Sequence, residues 1–454
     1  MGGSRQESKL IRNLGFWDLM AIAVGQIVGA GIMSSTGVAI GMTGTGVVLA
    51  FLLSPFLTII SIFPVAILSS AAPTTGGPYR YCSRLLGKTP GMIYLFLHTT
   101  AFAIAVSQYA LSFGMYFSSI VPSVDQHVAA MIVLTLFFAM NLVGTKSAAL
   151  LNKIMTIALF GGLFLFIGYG LPKTDIPYIL EPKNLFLNGP FAFVGTLALL
   201  SSATAGAQFI AELGGEAKDA GRNIPKAMVM STFGVGILYV LVAIVAAGIL
   251  PISQVADQPL TLVAGKIMPS VPFYLFVIGA ALGATATTLN ATLSWITKPL
   301  LVACDDGLLP KALGSVSRFG VPYKLLSVFY VIGMLPLAAR VDIASITKFT
   351  TANSLLTKLM VCAALFALAA KFGQILKKSA LHITAGQSKA IAVFGGVILC
   401  VLSYSLFANL SPAVIGFLAV LLVAVIVYVK VFAKKVVIEN DLGVDYTSAD
   451  KKDK

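Results

Sequence analysis

The sequence predicts an all-α membrane protein with about twelve transmembrane helices, and two observations lead to that fold class. The first is composition: 58% of the 454 residues are hydrophobic and only 11% are charged. A soluble globule of this size needs more polar residues than that to cover its surface. The second is that the apolar residues form blocks of roughly twenty or more, each long enough to cross about 30 Å of hydrocarbon at about 1.5 Å per residue.

The apolar blocks follow one another along almost the whole chain. The first is not a cleaved signal peptide, because it lacks a small-residue cleavage pattern and further spans follow it directly. The predicted spans are 16–40, 44–70, 90–121, 127–144, 147–171, 190–213, 227–250, 271–303, 322–339, 343–370, 390–408 and 411–433.

Basic residues are concentrated on one side of the predicted bundle. The segments on the side of the two termini hold most of the 31 Lys and Arg, whereas the opposite loops hold Lys173, Lys183, Lys266 and Arg340. By the positive-inside rule, both termini of this multi-pass protein are expected in the cytoplasm, with the bundle in a plasma membrane. The net charge of +14 then indicates contact with lipid headgroups, and no nucleic-acid partner is expected.

The sequence carries no grouping of residues that would indicate catalysis or a bound cofactor. The cysteines show neither metal-ligand spacing nor a disulfide pattern, and the histidines are scattered. We therefore expect no metal and no cofactor, and a membrane-embedded enzyme is a disfavoured alternative. The residues concerned are Cys82, Cys304, Cys362, Cys400, His98, His127, His382, Asp305 and Asp306.

Glycines cluster near the middle of the first predicted span. Gly25, Gly29 and Gly31 fall within about two helical turns, which favours an unwound stretch that exposes backbone amides and carbonyls. Close helix packing through small residues is the alternative explanation. The sixth span favours the unwound stretch, because it also has small residues around Gly206 at mid-depth.

Interrupted helices in corresponding positions of two halves are typical of inverted-repeat transporters, whose substrates bind at the breaks. The exposed amides of a half-helix, at the positive end of its dipole, suit a carboxylate. Unwound carbonyls suit an ammonium group or a cation. The sequence therefore predicts a central site between the first and sixth spans.

Four motifs together resemble the amino acid-polyamine-organocation transporter family over nearly the whole chain. The first span is similar to the family pattern G-x-x-x-G-x-G-[IV], and residues 73–84 to P-x-x-G-G-x-Y-x-Y-x-x-R. Residues 216–225 resemble E-x-K-N-P-x-R-x-I-P, although Asp219 and Ala220 replace the usual Asn-Pro. Residues 305–310 resemble the loop (R/D)-D-G-L-x-P, with Val321 and Pro322 following at the expected distance.

This resemblance implies a 5+5 inverted-repeat transporter fold with discontinuous helices 1 and 6. The expected divisions are a cytoplasmic N-terminal segment (1–15), a ten-helix core (16–370), two additional helices (371–433) and a charged cytoplasmic tail (434–454). Within the core, repeat one covers about 16–171 and repeat two about 190–370. The resemblance also implies alternating access around a midplane site.

Site residues follow from the resemblance position by position. The carboxylate-binding amides fall on Ala30 and Gly31, and the ammonium-binding carbonyls on Ile27, Ser202 and Ala205. The resemblance also implies four side chains that line the pocket, Ala101, Phe102, Gln208 and Thr292. Ordinary helix packing is the alternative role for these side chains.

The chain departs from the family pattern at three places. Ser202–Thr204 stand where relatives often carry a large aromatic gate, so we expect a roomier pocket or a gate elsewhere. Gln208 stands where relatives often carry a carboxylate, and a glutamine cannot titrate. Leu159 falls at the lysine position of proton-coupled relatives. Without these proton-carrying groups, we expect the protein to exchange one solute for another or to use a different cation site.

Two polar features remain in the second half. Thr287 and Thr288 are a candidate sodium site together with first-span carbonyls, although such threonines more commonly bond within their own helix. Lys358 lies near the middle of the tenth span, where a lysine costs roughly 2.5–3.5 kcal/mol, so it should face protein or a cavity. We include it among the substrate-binding residues; a structural pairing, for example with Glu212, is the alternative.

The sequence thus predicts a permease or exchanger whose partners are an amino acid or a close derivative, the lipid bilayer and a candidate coupling cation. A polyamine or organic cation carrier is the alternative within transport, disfavoured because the central site lacks an obvious carboxylate.

Overall fold

The computed structural model describes residues 14–143, 145–215, 217–319, 321–341, 343–407 and 412–434, together with residues 436, 438 and 442. Over these residues the secondary structure is helical, with two isolated β-bridges, Leu14–Ala217 and Thr75–Leu213. Nearly all of the predicted N-terminal segment and most of the predicted tail lie outside the described residues.

Long helices alternate with short ones along the described chain. In chain order they are α1 (Phe16–Ile27), α2 (Ala30–Thr43), α3 (Val47–Ala71), α4 (Gly77–Leu85), α5 (Lys88–Ile120), α6 (Gln126–Val143), α7 (Thr145–Gly170), α8 (Ile176–Leu180), α9 (Pro182–Leu185), α10 (Gly189–Ala203), α11 (Ala220–Gly248), α12 (Ile252–Val255), α13 (Leu260–Ile267), α14 (Ser270–Phe276), α15 (Gly283–Trp295), α16 (Thr297–Asp305), α17 (Tyr323–Ala338), α18 (Ile343–Lys371), α19 (Gly373–Lys378), α20 (Ala385–Phe407) and α21 (Pro412–Val431). Short 3₁₀ segments occur at Gly44–Gly46, Leu171–Lys173, Ala207–Glu212 and Lys311–Gly314, and a π-helical segment at Val277–Leu282 joins α14 to α15.

The described helices confirm the multi-span membrane class. Eight stretches of the described chain are long and apolar enough to cross a membrane, and four shorter apolar helices lie at the remaining predicted spans. Most helices begin and end within a few residues of the predicted bounds. The largest difference is α11, which begins at Ala220 rather than near residue 227, because its polar first turns stay helical beyond the apolar block.

Two spans are broken. The first is interrupted at Val28 and Gly29, between α1 and α2, and Gly29 is fully extended. The sixth span stops at the end of α10 and resumes as the 3₁₀ segment Ala207–Glu212 after Gly206, whose φ of +142° is open to glycine and to few other residues. Gly25, expected in the first break, lies inside α1 instead, because the helix continues to Ile27 and only two residues leave it.

The breaks are held by long helices on either side. α3 packs along α10, α11 and α20, while α15 packs against α1, α5 and α7. We call the side where α1 begins and α3 ends the basic face. There the β-bridges tie Leu14 to Ala217 and Thr75 to Leu213, so the chain before the first helix and the end of the sixth span meet at one surface.

Candidate functional site

The two helix breaks touch each other. A methyl group built on Gly206 would lie 2.7 Å from the carbonyl oxygen of Gln26, and one built on Gly31 would lie 3.2 Å from the Cβ of Ala203. Gly206 is therefore required by the close approach of the Gln26 backbone, and Gly31 packs tightly against Ala203. The sequence predicted two breaks, and the fold brings them together into one place, which we call the central site (Ile27–Gly31 with Ser202–Gly206).

The start of α2 lies at the central site with amides for which the helix itself supplies no acceptor. Its N-cap is Gly29, which provides no side-chain cap. The amides of Ala30 and Gly31 lie in the first turn, where no carbonyl of the same helix can accept from them. Together with the positive end of the helix dipole, they form a binding place for an anion.

The carbonyls predicted to hold an ammonium group are partly engaged already. The Ile27 carbonyl accepts a hydrogen bond from Tyr239 Oη at 3.1 Å, and the Ser202 carbonyl accepts one from the Ala205 amide at 3.3 Å. A carbonyl oxygen has two lone pairs, so the Ile27 carbonyl can accept one more donor. The Ser202 carbonyl also accepts from the Thr204 amide. Sequence reasoning missed Tyr239, which lies on α11 and is buried beside the first break.

The side chains predicted to line the pocket have different surroundings. Gln208 Oε1 accepts a hydrogen bond from the Gly206 amide at 2.9 Å, so this side chain caps the second break. Thr292 Oγ1 donates to the Thr288 carbonyl of its own helix at 2.7 Å. Ala101 is buried on α5, next to Phe102.

Phe102 belongs to a cluster of rings that we call the aromatic layer (His98, Phe102, Phe209 and Trp295). The ring centroids of Phe102 lie 4.8 Å from Phe209 and 4.9 Å from Trp295. The layer lies on the basic-face side of the central site, because Phe209 follows Gly206 toward the β-bridge at Leu213. Ser202–Thr204 carry no aromatic residue, but three other helical segments supply bulky rings next to the central site.

Sequence reasoning missed three of these four rings as site residues. One signal was available for Trp295, which is one of only two tryptophans in the chain and falls inside a predicted span. Nothing in the sequence distinguished Phe209 from the other phenylalanines. His98 was considered only as a metal ligand.

The two threonines of the candidate cation site form hydrogen bonds within their own helix, as the alternative explanation predicted. Thr287 and Thr288 both donate their hydroxyl protons to the Ala284 carbonyl, at 2.9 and 3.0 Å. Thr288 also lies against the first break, because a methyl group on Gly29 would come within 2.5 Å of its Oγ1. That oxygen keeps a lone pair next to the break, so its bond within the helix does not exclude a role as ligand.

Lys358 is only partly buried, near the middle of α18. Within the described residues, no hydrogen bond or ion pair joins it to Glu212 or to another group. Its helix packs mainly against α3, α5 and α20. The structure thus brings the helix breaks and Thr288 together, while Lys358 lies on a neighbouring helix.

The basic face is closed by residues of two family motifs. Arg84 of α4 makes two hydrogen bonds to the Asp306 carboxylate, at 2.6 and 3.0 Å, and Tyr79 Oη donates to the same carboxylate at 2.9 Å. Burial, followed by the nearby Asp306, raises the pKa of Tyr79 well above its ordinary value, so it remains a hydrogen-bond donor at neutral pH. Sequence comparison flagged both motifs but not their pairing.

The comparison with protein families agrees with this architecture. The family described as "Amino acid permease" matches residues 14–437 of the chain. The chain belongs to the amino acid permease family. It is accordingly a membrane transporter and not an enzyme.

Curated relatives extend the same result. The amino-acid permease RocE of Bacillus subtilis is 27% identical over 81% of this chain and 79% of its own length. The branched-chain amino acid permease BcaP of the same organism is 26% identical over 70% of this chain and 72% of its own length. The inner membrane transport protein YbaT of Escherichia coli is 24% identical over 91% and 95%.

Proposed function

We propose that this permease carries a zwitterionic amino acid through the central site by alternating access. The contact between the two helix breaks is the observation that supports the proposal most strongly. The substrate carboxylate would bind the amides of Ala30 and Gly31. The ammonium group of the substrate would bind the carbonyl oxygens of Ile27, Ser202 and Ala205. Backbone groups would then recognise what all amino acids share.

The surroundings of the site favour a substrate whose side chain is uncharged and largely apolar. Ala101 and the aromatic layer give an apolar wall, and Gln208 is uncharged and already bonded to Gly206. A polyamine or organic cation would need a carboxylate, which the residues of the central site lack. The relative named a branched-chain amino acid permease is in keeping with an apolar substrate.

We further propose that transport proceeds by exchange rather than by proton symport through the family lysine position. Leu159 stands at that position, is fully buried and packs 3.8 Å from the Cβ position of Gly283 on α15. Neither Leu159 nor Gln208 can carry a proton. The alternative is coupling to sodium, with Thr287 and Thr288 contributing hydroxyl oxygens next to first-break carbonyls.

The arrangement of the chain in the membrane is part of the same proposal. The ten-helix core would comprise residues 16–370 as two inverted repeats, with the first and second breaks in equivalent positions. Residues 371–433 would add two helices. The basic face would be cytoplasmic in a plasma membrane, because anionic inner-leaflet lipids attract its Lys and Arg residues.

Counterflow in proteoliposomes tests this proposal. Vesicles loaded with millimolar unlabelled leucine, alanine, glutamate, lysine or putrescine should accumulate labelled leucine when the internal solute is a neutral amino acid. Accumulation should persist when a protonophore removes the pH gradient, and when potassium replaces sodium. Empty vesicles and vesicles without protein provide the controls.

Each part of the proposal can fail separately in that assay. Collapse with the protonophore would contradict exchange, and collapse without sodium would favour the threonine site. Counterflow driven by putrescine but not by neutral amino acids would overturn the substrate class.

A further inference from the structure

Glu212 is a buried carboxyl group that the proposed transport mechanism does not use. Glu212 is the last residue of the 3₁₀ segment after the second break, and it is only 1% exposed. Its Oε2 atom has no hydrogen-bond partner among the described residues. The position is on the basic-face side of the aromatic layer, because the next residue, Leu213, forms the β-bridge to Thr75.

The segment that ends at Glu212 packs against α1, α11, α3 and α4. The Gly76 amide donates to the Glu212 carbonyl at 3.3 Å, and a methyl group on Gly77 would lie 3.2 Å from the Glu212 amide nitrogen. The carboxyl group lies close to Tyr81 and Cys82, whose pKa values are raised by burial and, next, by the negative charge of Glu212. The start of α4 therefore lies directly against Glu212.

A short polar path connects Glu212 to the aromatic layer. Tyr94 of α5 lies near the carboxyl group, and its hydroxyl is 3.3 Å from Nδ1 of His98. The His98 ring lies 4.8 Å from that of Phe102 and 5.8 Å from that of Trp295.

Within the described part of the chain, no hydrogen bond or ion pair joins a charged or titratable group to the Glu212 carboxyl group. Arg80 of α4 donates to Thr74 Oγ1 at 2.8 Å, Tyr81 Oη donates to the Ala72 carbonyl at 2.9 Å, and α3 has no titratable residue. Among the groups on α1 and α11, Tyr239 bonds to Ile27 and the rest are exposed at the start of their helices, namely Asp18, Arg222 and Lys226.

We propose that Glu212 is a proton-binding site: it holds a proton while the basic face is closed and releases it to water when α4 moves away. An ionised carboxylate with an unpaired oxygen is strongly disfavoured in so enclosed a place, whereas the neutral acid is tolerated. Opening the face admits water, which solvates the carboxylate. By linkage, acid stabilises the closed state and alkali favours opening. The proposal rests on the transport cycle proposed above only in assuming that the basic face opens.

Labelling of Cys82 tests the proposal without any substrate. Cys82 lies next to Glu212 and is fully buried in the closed state, so a maleimide can reach it only after opening. The other cysteines are removed first, by Cys304→Ala, Cys362→Ala and Cys400→Ala. Labelling rates are then compared from about pH 6 to about pH 8 in this background, with and without Glu212→Gln, which imitates the protonated acid.

Both proteins should label faster at higher pH, because the thiolate is the reactive form. The ratio of the rate in the Glu212 protein to that in the Glu212→Gln protein should also rise, by up to about a hundredfold over these two pH units, since one bound proton contributes up to a factor of ten per pH unit. The control variant is Asp219→Asn, which removes an exposed acid at the same face. Its labelling rates should have the same pH dependence as those of the Glu212 protein.

A constant ratio between the two proteins would overturn the proposal. If Glu212→Gln failed to fold, Cys82 labelling in the native fold would be compared with that in denatured protein, and identical pH profiles would also overturn it. A rising ratio in a protein that exchanges no amino acid would uphold the proton site and refute the transport proposal instead.

Discussion

The rings of Phe209 and Trp295 stack nearly parallel, with centroids 4.6 Å apart and planes 10° apart. Phe209 comes from the segment after the second break, whereas Trp295 ends α15. Phe102 meets both rings edge-on from α5. We therefore expect a solute that leaves the central site toward the basic face to separate these rings.

We predict that Trp295→Leu weakens the binding of apolar amino acids by about threefold to tenfold and lowers thermal stability. Each aromatic pair contributes about 0.5–1.5 kcal/mol beyond its buried area, and leucine retains none of the three ring contacts. Binding and melting temperature would be measured in detergent. The matched control is Trp17→Leu, because Trp17 is 75% exposed on α1. Equal affinities in the two variants would contradict a role for the aromatic layer.

We predict that Gly31→Val abolishes measurable substrate binding while the protein stays folded. The added Cβ would lie 3.2 Å from Ala203 Cβ, so the valine would push α2 away from α10 and shift the first-turn amides. The control is Gly161→Val, at a helical glycine with open space around its Cβ position. Size-exclusion profiles would check the fold. Unchanged affinity in a well-folded Gly31→Val protein would contradict the binding of the substrate carboxylate at the start of α2.

We predict that Arg84 and Asp306 are energetically coupled. Their side chains are only 9% and 11% exposed, and removing one partner of a buried ion pair typically costs about 3–5 kcal/mol because the other charge remains unpaired. Arg84→Met and Asp306→Asn should each lower the melting temperature clearly, and the double variant should lower it by less than the sum. A fully additive result would show that the pair does not act as a unit.

An exposed ion pair provides the control for that cycle. Lys183 and Glu181 lie 2.6 Å apart, but their side chains are 73% and 40% exposed. Such surface pairs contribute little, so Lys183→Met should hardly change the melting temperature.

We predict that Lys358→Met changes the ranking of neutral, acidic and basic substrates if Lys358 lines the transport path, since removing a positive charge favours cationic solutes. The fold should persist, because a similar-sized apolar group removes the cost of burying the charge. The control is Lys371→Met at the end of the same helix, whose ammonium group donates to the Leu85 carbonyl. A destabilised Lys358→Met protein with unchanged ranking would assign this lysine to the scaffold.

Much of this protein could be predicted from residue order alone, because lipid imposes a strict rule on the chain. Each span must satisfy its own backbone hydrogen bonds and present apolar side chains, so length and hydropathy reveal the spans. Glycines at mid-depth violate that rule visibly, which is why the breaks at Gly29 and Gly206 were predictable. The extent of the first break was not, since Gly25 remained helical through local hydrogen bonding.

The family motifs identified functional segments but not their partners. Residues 73–84 and 305–310 were recognised separately, and the bonds from Arg84 and Tyr79 to Asp306 join them across the basic face. Pairing between segments so distant in the chain depends on how whole helices pack, and no local pattern encodes it.

The sequence by itself determined the membrane class, the spans and the two interrupted helices. Only the tertiary structure decided that Gly206 touches Gln26, that Phe209 stacks on Trp295 and that Glu212 is sealed beneath α4. The physical reason is that apolar periodicity reports where a helix meets lipid or protein, whereas the identity of its neighbour depends on close packing in three dimensions.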